Sequence, residues 1–97
     1  MTLADALSQI YQLTERKIVF AKKPWTLDSD AEIGILDEEL RVPSSVLQRG
    51  FSYFLDVATA HEVLEVFGRK PPTREEIVRL LFHYAQHDAF PDWVYER

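Results

Sequence analysis

Apolar residues recur every three or four positions near the start of the chain, a spacing that places them on one face of a helix. Leu3 and Leu7 begin this pattern. They follow a pair, Thr2 and Asp5, that resembles a capping box with Asp in place of the usual Glu or Gln. The apolar stripe is one face wide, so the pattern predicts a first helix over residues 3–15 that packs on another element.

Three shorter runs combine β-branched and aromatic residues, which is typical of strands. They lie at residues 18–20, 33–36 and 51–57. The third run has the most apolar residues, so we expect it to form the most buried of the three strands. Between the second and third runs, residues 44–48 have the composition of one helical turn before Gly50.

Two further helices are predicted after the third strand. Thr59 and Glu62 resemble a second capping box, and the apolar spacing that follows continues over residues 60–67 until Gly68 ends the helix. Two consecutive prolines then break the chain.

The last helix is predicted over Arg74–His87, because Thr73 and Glu76 form a third capping box and apolar residues again follow at helical spacing. The tail after this helix is rich in aromatic residues, which we expect to fold back over the end of the core. These residues are Phe90, Trp93 and Tyr95.

The order of elements, one helix, three strands and then two helices, favours an α+β fold. We expect a small three-stranded antiparallel sheet with three helices packed mainly on one face. A chain of 97 residues is long enough for one hydrophobic core, so we expect a single domain over residues 1–97. A three-stranded sheet has two edges to which a partner or a second copy can add a strand, and a homodimer stays open.

The composition excludes several classes of function. The formal charge of -5 and the pI near 5.1 argue against nucleic acid as a ligand, since phosphate contacts need clustered Lys and Arg. The chain has no cysteine, no apolar run long enough to cross a membrane and no secretory signal pattern at its start. We therefore expect a cytoplasmic protein that contacts no membrane.

Six acidic residues lie between Lys23 and Arg41 without a basic residue among them. They are Asp28, Asp30, Glu32, Asp37, Glu38 and Glu39. We expect them to lie on loops near both ends of the second strand. A concentrated negative field raises the rate at which a basic partner is captured, so this cluster predicts a protein-binding surface.

Two alternatives to this binding surface stay open. A run of charge is commonly a solvated face that keeps a small protein soluble. Trp25, beside the cluster, is either an aromatic anchor of an interface or a core residue.

The chain has few residue patterns typical of catalytic or metal-binding sites. His83 and His87 lie four residues apart on the predicted last helix, but the pair lacks the Glu of a zinc-protease motif and needs a third ligand from elsewhere. The serines lack a nucleophile-elbow motif. We predict no catalytic residues, no metal and no cofactor, and keep a metal-dependent enzyme that uses these two histidines as an alternative.

Residues in the C-terminal half resemble a family of small acidic bacterial domains of about a hundred residues with no described chemistry. The residues that carry the resemblance are Leu55, Asp56, Val57, Thr59, Val63, Leu64, Phe82, Tyr84, Asp88, Ala89 and Phe90. Small acidic proteins of this kind resemble immunity proteins of bacterial toxin systems. The resemblance implies a non-enzymatic role: binding and neutralising a basic toxin domain, commonly a nuclease.

On this interpretation the six acids contact the toxin and Trp25 is the anchor. The competing interpretation is a small regulatory or structural domain that acts as a homodimer, whose acids serve solubility and which has no toxin partner.

Overall fold

The computed structural model describes residues 1–97 and contains a three-stranded antiparallel sheet. The strands are β1 (Ile18–Lys22), β2 (Ala31–Gly34) and β3 (Phe51–Asp56), in the spatial order β2-β1-β3. The α+β fold predicted from the sequence is confirmed. The prediction that the third strand is the most buried is wrong, because β1 lies between the other two and four of its five residues are buried.

Three helices cover the first face of the sheet, as predicted: α1 (Leu3–Ser8), α3 (Val57–Leu64) and α4 (Arg74–His87). Together with this face they form a core of 19 buried residues that extends from Leu3 to Val94. A fourth short helix, α2 (Ser44–Gln48), lies on the opposite face.

The first helix is shorter than predicted. The α-helix ends at Ser8 and is followed by a 3-10 turn, Ile10–Gln12, rather than continuing to residue 15. The cause is tertiary, since the chain must reverse direction to enter β1. A hydrogen bond from the Lys17 amide to the Thr14 carbonyl closes the turn that makes this reversal.

The start of α3 differs from the sequence prediction for a local reason. Asp56 is the N-cap, and its carboxylate accepts hydrogen bonds from the Thr59 amide and hydroxyl at 2.9 Å. The predicted capping box of Thr59 and Glu62 is therefore wrong, and helix α3 begins directly where β3 ends. The end of this segment is as predicted: a 3-10 turn, Glu65–Phe67, precedes Gly68, which has φ 60°. The capping boxes predicted at the starts of α1 and α4 are both present.

The connection from β2 to β3 crosses β1 on the second face of the sheet. It carries a smaller apolar cluster in which Val46 of α2 packs with Ile18 and Phe20. Gly34 permits this packing, because a Cβ at that position would lie 3.2 Å from the Phe20 ring. β2 ends at Gly34, so it lies earlier in the chain than the predicted run over residues 33–36.

The C-terminal tail folds back on the core at Trp93, as predicted, and Arg97 holds it there. The prediction is wrong for Tyr95, which does not cover the core. The Arg97 guanidinium bonds to Glu76 and lies 4.4 Å from the centre of the Phe67 ring. Trp93 packs against the same ring, whereas Tyr95 stays 69% exposed. None of the helices has the length and apolar character needed to span a membrane.

Candidate functional site

The six acids predicted as contact residues fall into two groups at opposite ends of β2. Asp28 and Asp30 precede the strand and Asp37, Glu38 and Glu39 follow it, as expected from the sequence. Glu32 lies within β2 rather than on the loop before it, because the strand begins at Ala31, earlier in the chain than predicted. The four residues of β2 span roughly 13 Å, so the strand separates the two groups. The acids form two small patches rather than one continuous surface.

The first group is largely compensated by the chain's own cations. Arg49 forms a two-point hydrogen bond with Glu32 and holds the pKa of that carboxyl below its ordinary value. Lys22 Nζ lies 3.9 Å from an Asp30 carboxylate oxygen. Asp28 is exposed and makes no ion pair. With Lys22 and Arg49 counted, this group carries a formal charge of -1, and Asp28 and the exposed Asp30 supply its accessible carboxylates.

Trp25 lies beside this compensated group and is partly buried against the main core. Its ring meets Phe54 edge-on, with the ring centres 5.0 Å apart, and its Nε1 donates to the Ala21 carbonyl at 3.4 Å. Lys23 Nζ lies 4.9 Å from the ring centre. The surroundings of Trp25 are thus those of a core-edge residue with a cation beside it, which is the second of the two roles considered for it.

The second group forms a turn over residues 37–41, called the acidic turn below. One carboxylate oxygen of Asp37 accepts hydrogen bonds from the Glu39 and Arg41 amides, each at 2.9 Å. The Asp37 amide donates to the Arg41 carbonyl, and the Leu40 amide donates to the Asp37 carbonyl. Four hydrogen bonds within five residues therefore hold the turn in one conformation.

Leu40 lies in the acidic turn directly after its central residues, Glu38 and Glu39, and has a left-handed conformation with φ 61°. This region is unfavourable for a residue with a branched side chain, by about 1–2 kcal/mol. The Leu40 side chain is also 80% exposed, so its burial does not repay that strain within the monomer. An exposed leucine in a strained and hydrogen-bonded turn is the most unusual local feature of this chain.

A cleft of about 360 Å³ lies beside the acidic turn. Its lining residues are Arg16, Ile35, Leu36, Asp37, Glu38 and Leu40. Ile35 is 51% exposed, because β2 ends one residue earlier and the chain leaves the sheet there. The acidic turn itself carries three carboxylates and one guanidinium, which leaves a formal charge of -2.

Sequence reasoning missed four residues of the cleft: Arg16, Ile35, Leu36 and Leu40. The sequence predicts a strand over residues 33–36, which includes Ile35 and Leu36, and assigns Leu40 no role. A leucine between three acids and an arginine indicates an exposed apolar side chain, so the exposure of Leu40 was predictable from the sequence. Arg16 was not, since it is distant in sequence and only the folded chain brings it to the cleft.

His83 and His87 lie together on α4, with ring centres 4.5 Å apart. The structure contains no group of three or more His, Cys, Asp or Glu residues arranged to hold a metal ion. The third histidine, His61, lies on α3, where its Nε2 is 3.0 Å from the Ile10 carbonyl oxygen.

The chain belongs to the family described as a domain of unknown function, DUF7716, whose family model matches residues 1–93. The family relationship therefore covers both halves of the chain, whereas the resemblance read from the sequence covered the C-terminal half. No curated protein and no solved structure matches the chain.

Proposed function

We propose that this domain binds a basic surface of another protein through the acidic turn and that it catalyses no reaction. The observation that carries the proposal is Leu40, which is 80% exposed in a turn held by four hydrogen bonds. Interface centres commonly combine a fixed apolar side chain with surrounding polar groups. Because the turn is already ordered, binding loses little conformational entropy there.

The charges of the acidic turn support a basic partner. Glu38 is exposed and makes no ion pair, and Glu39 is paired only with Arg41 in an exposed contact at 3.4 Å. Exposed pairs of this kind contribute little and are easily exchanged for a partner's cation. The formal charge of -5 adds a long-range attraction that increases the association rate with a basic protein.

A binding role suits these carboxylates better than catalysis. The Asp37 carboxylate already accepts two backbone hydrogen bonds and is needed for the conformation of the turn. The lining of the cleft includes no hydroxyl, thiol or imidazole group that would act as a nucleophile or base.

The finer proposal concerns the partner. Nuclease toxins bind anionic substrates through basic clefts, and an acidic turn with a protruding leucine is suited to fill such a cleft as a phosphate mimic. We therefore propose an immunity protein as the specific role, with a bacterial toxin domain as the partner. The proposed contact residues are those of the acidic turn, residues 37–41. The other residues expected from the sequence to contact the toxin lie outside this turn: Trp25, Asp28, Asp30 and Glu32.

The proposal is tested by affinity capture from the source cells with a pair of matched variants. The test variant is Glu38→Gln with Glu39→Gln, and the control is Glu62→Gln with Glu65→Gln, which lie on α3 and the 3-10 turn after it, outside the cleft. Both variants remove two negative charges from exposed positions. We expect a partner of high pI that the wild type and the control retain and that the test variant loses at low salt.

Two results would count against the proposal. A partner retained equally by all three proteins would place the interface elsewhere. A stable homodimer in sedimentation experiments, without any basic partner, would favour the regulatory or structural domain instead. If a basic partner without toxic activity is captured, the binding proposal stands and the immunity role fails.

A further inference from the structure

We infer that the cleft beside the acidic turn holds one apolar side chain of the partner, at a position in the partner next to a Lys or Arg. This inference rests on the proposed function and deepens it, since it names the chemistry of the segment that the site recognises. The two parts of the site then have different roles. The carboxylates increase the association rate with the partner, and the cleft decreases the dissociation rate.

Three of the six residues that line the cleft are apolar. Ile35, Leu36 and Leu40 supply the apolar lining. Ile35 and Leu40 are both more than half exposed in the monomer, so an incoming side chain would remove apolar surface from water on both partners. Pockets for small molecules commonly enclose about 300–1,000 Å³, and a cleft of about 360 Å³ is at the small end of that range. A cleft of this volume has room for one apolar side chain together with the backbone and neighbouring groups of the segment that carries it.

The charged residues of the cleft favour a basic residue next to the inserted side chain of the partner. Asp37 and Glu38 line the same cleft and form no ion pair with the chain's own cations. A Lys or Arg next to the inserted side chain would therefore meet uncompensated carboxylates. Arg16 is the one cation in the lining, so it offsets one of the two carboxylates and is a like charge to any such group.

A second copy of the chain fits this cleft poorly. In a two-fold symmetric contact the same patch faces itself, so the two acidic turns would oppose each other. Each turn carries a formal charge of -2 and each chain -5. The repulsion between them argues for a basic segment of a different protein as the occupant.

Short peptides test this inference without the natural partner. Three probes are titrated into the full chain: acetyl-Lys-Leu-Lys-amide, acetyl-Lys-Ser-Lys-amide and acetyl-Glu-Leu-Glu-amide. The readout is the NMR signals of the Ile35, Leu36 and Leu40 methyl groups. We expect the first peptide to shift these signals and to bind at least about fivefold more tightly than the other two, because only it carries both the apolar group and the cations.

Two variants give effects of opposite sign. Leu40→Ser should weaken binding of the Lys-Leu-Lys peptide by about fivefold, since it removes part of the apolar lining. Arg16→Gln should tighten it by roughly two- to fivefold, since it removes the like charge facing the peptide's lysines. Arg69→Gln, an exposed arginine outside the cleft, serves as the control and should leave the affinity unchanged.

The inference is overturned if the Lys-Leu-Lys and Lys-Ser-Lys peptides bind alike, or if Arg16→Gln weakens binding. That outcome leaves the proposed function standing when the Glu38→Gln, Glu39→Gln variant still loses its protein partner. If this variant retains its partner while the peptide results are as expected, the cleft is a peptide site and the acidic turn is not the protein interface.

Discussion

Arg49 donates two hydrogen bonds to Glu32 across the second face of the sheet, although the two residues are 17 positions apart in sequence. The same guanidinium lies 5.4 Å from the centre of the Phe51 ring. This arrangement holds Arg49 over the sheet and removes Glu32 from the acids that are free to meet a partner. It leaves Asp28 and Asp30 as the exposed acids at that end of β2.

Replacing Arg49 should change the titration of Glu32. The hydrogen bond from Arg49 holds the pKa of the Glu32 carboxyl below its ordinary value, so Arg49→Met should raise that pKa towards 4.5. The measurement is an NMR titration of the Glu32 side chain. Arg69→Met removes the same charge from an exposed site without a carboxylate partner, and it should leave the Glu32 titration in place.

Leu40→Gly should separate stability from binding. Glycine adopts a positive φ without steric cost, so the variant should raise the free energy of unfolding by about 0.5–1 kcal/mol while it weakens partner binding. Denaturant unfolding measures the first effect. Leu47→Gly is the matched control, because Leu47 is also exposed but lies in helix α2, where glycine should destabilise by about 1 kcal/mol. A loss of stability in Leu40→Gly would show that the turn is not strained.

Asp56 and Glu62 should differ sharply when each is replaced by alanine. Asp56→Ala removes the side chain that caps α3 and accepts the Tyr53 hydroxyl at 2.7 Å, so it should lower the free energy of unfolding by about 1–2 kcal/mol. Glu62→Ala should change it by less than about 0.5 kcal/mol. Equal effects of the two substitutions in thermal or denaturant unfolding would contradict the assignment of Asp56 as the cap of α3.

Removal of Arg97 should release the C-terminal tail. Its side chain is only 8% exposed and donates to the carbonyl oxygens of Phe67, Lys70 and Pro71 as well as to Glu76. Arg97→Ala should lower the free energy of unfolding by about 1.5–3 kcal/mol and increase amide exchange around Trp93. If amide exchange near Trp93 stays slow in Arg97→Ala, the tail is held by its apolar contacts alone.

The stabilising effect of Glu76 should depend on pH. Its backbone hydrogen bond from Thr73, together with Arg97, holds the pKa of the Glu76 carboxyl below the ordinary 4.5. A lowered pKa in the folded state stabilises the fold above the unfolded value, and this contribution disappears as the pH falls through the folded value. The stability difference between wild type and Glu76→Gln should therefore be constant above about pH 5.5 and shrink below pH 4.5. A difference that does not change with pH would mean that the carboxylate charge is not involved.

Much of the local structure was predictable from neighbouring residues. The capping boxes at Thr2 and Thr73 begin α1 and α4 as expected, and α4 has its predicted bounds, Arg74–His87. The two positions of the acids on either side of β2 also followed from the order of turn and strand residues. These features depend on hydrogen bonds and apolar spacing between residues a few positions apart, so they can be predicted from the local sequence.

The sequence alone determined the α+β class, the three strands and the presence of an acidic segment. The tertiary structure alone decided which strand is central, which acids are paired and which apolar side chains stay exposed. The crossover from β2 to β3 brings Arg49 to Glu32, and the turn before β1 brings Arg16 beside Leu40. Contacts of this kind depend on the route of the chain between distant elements, and no local pattern of residues encodes that route.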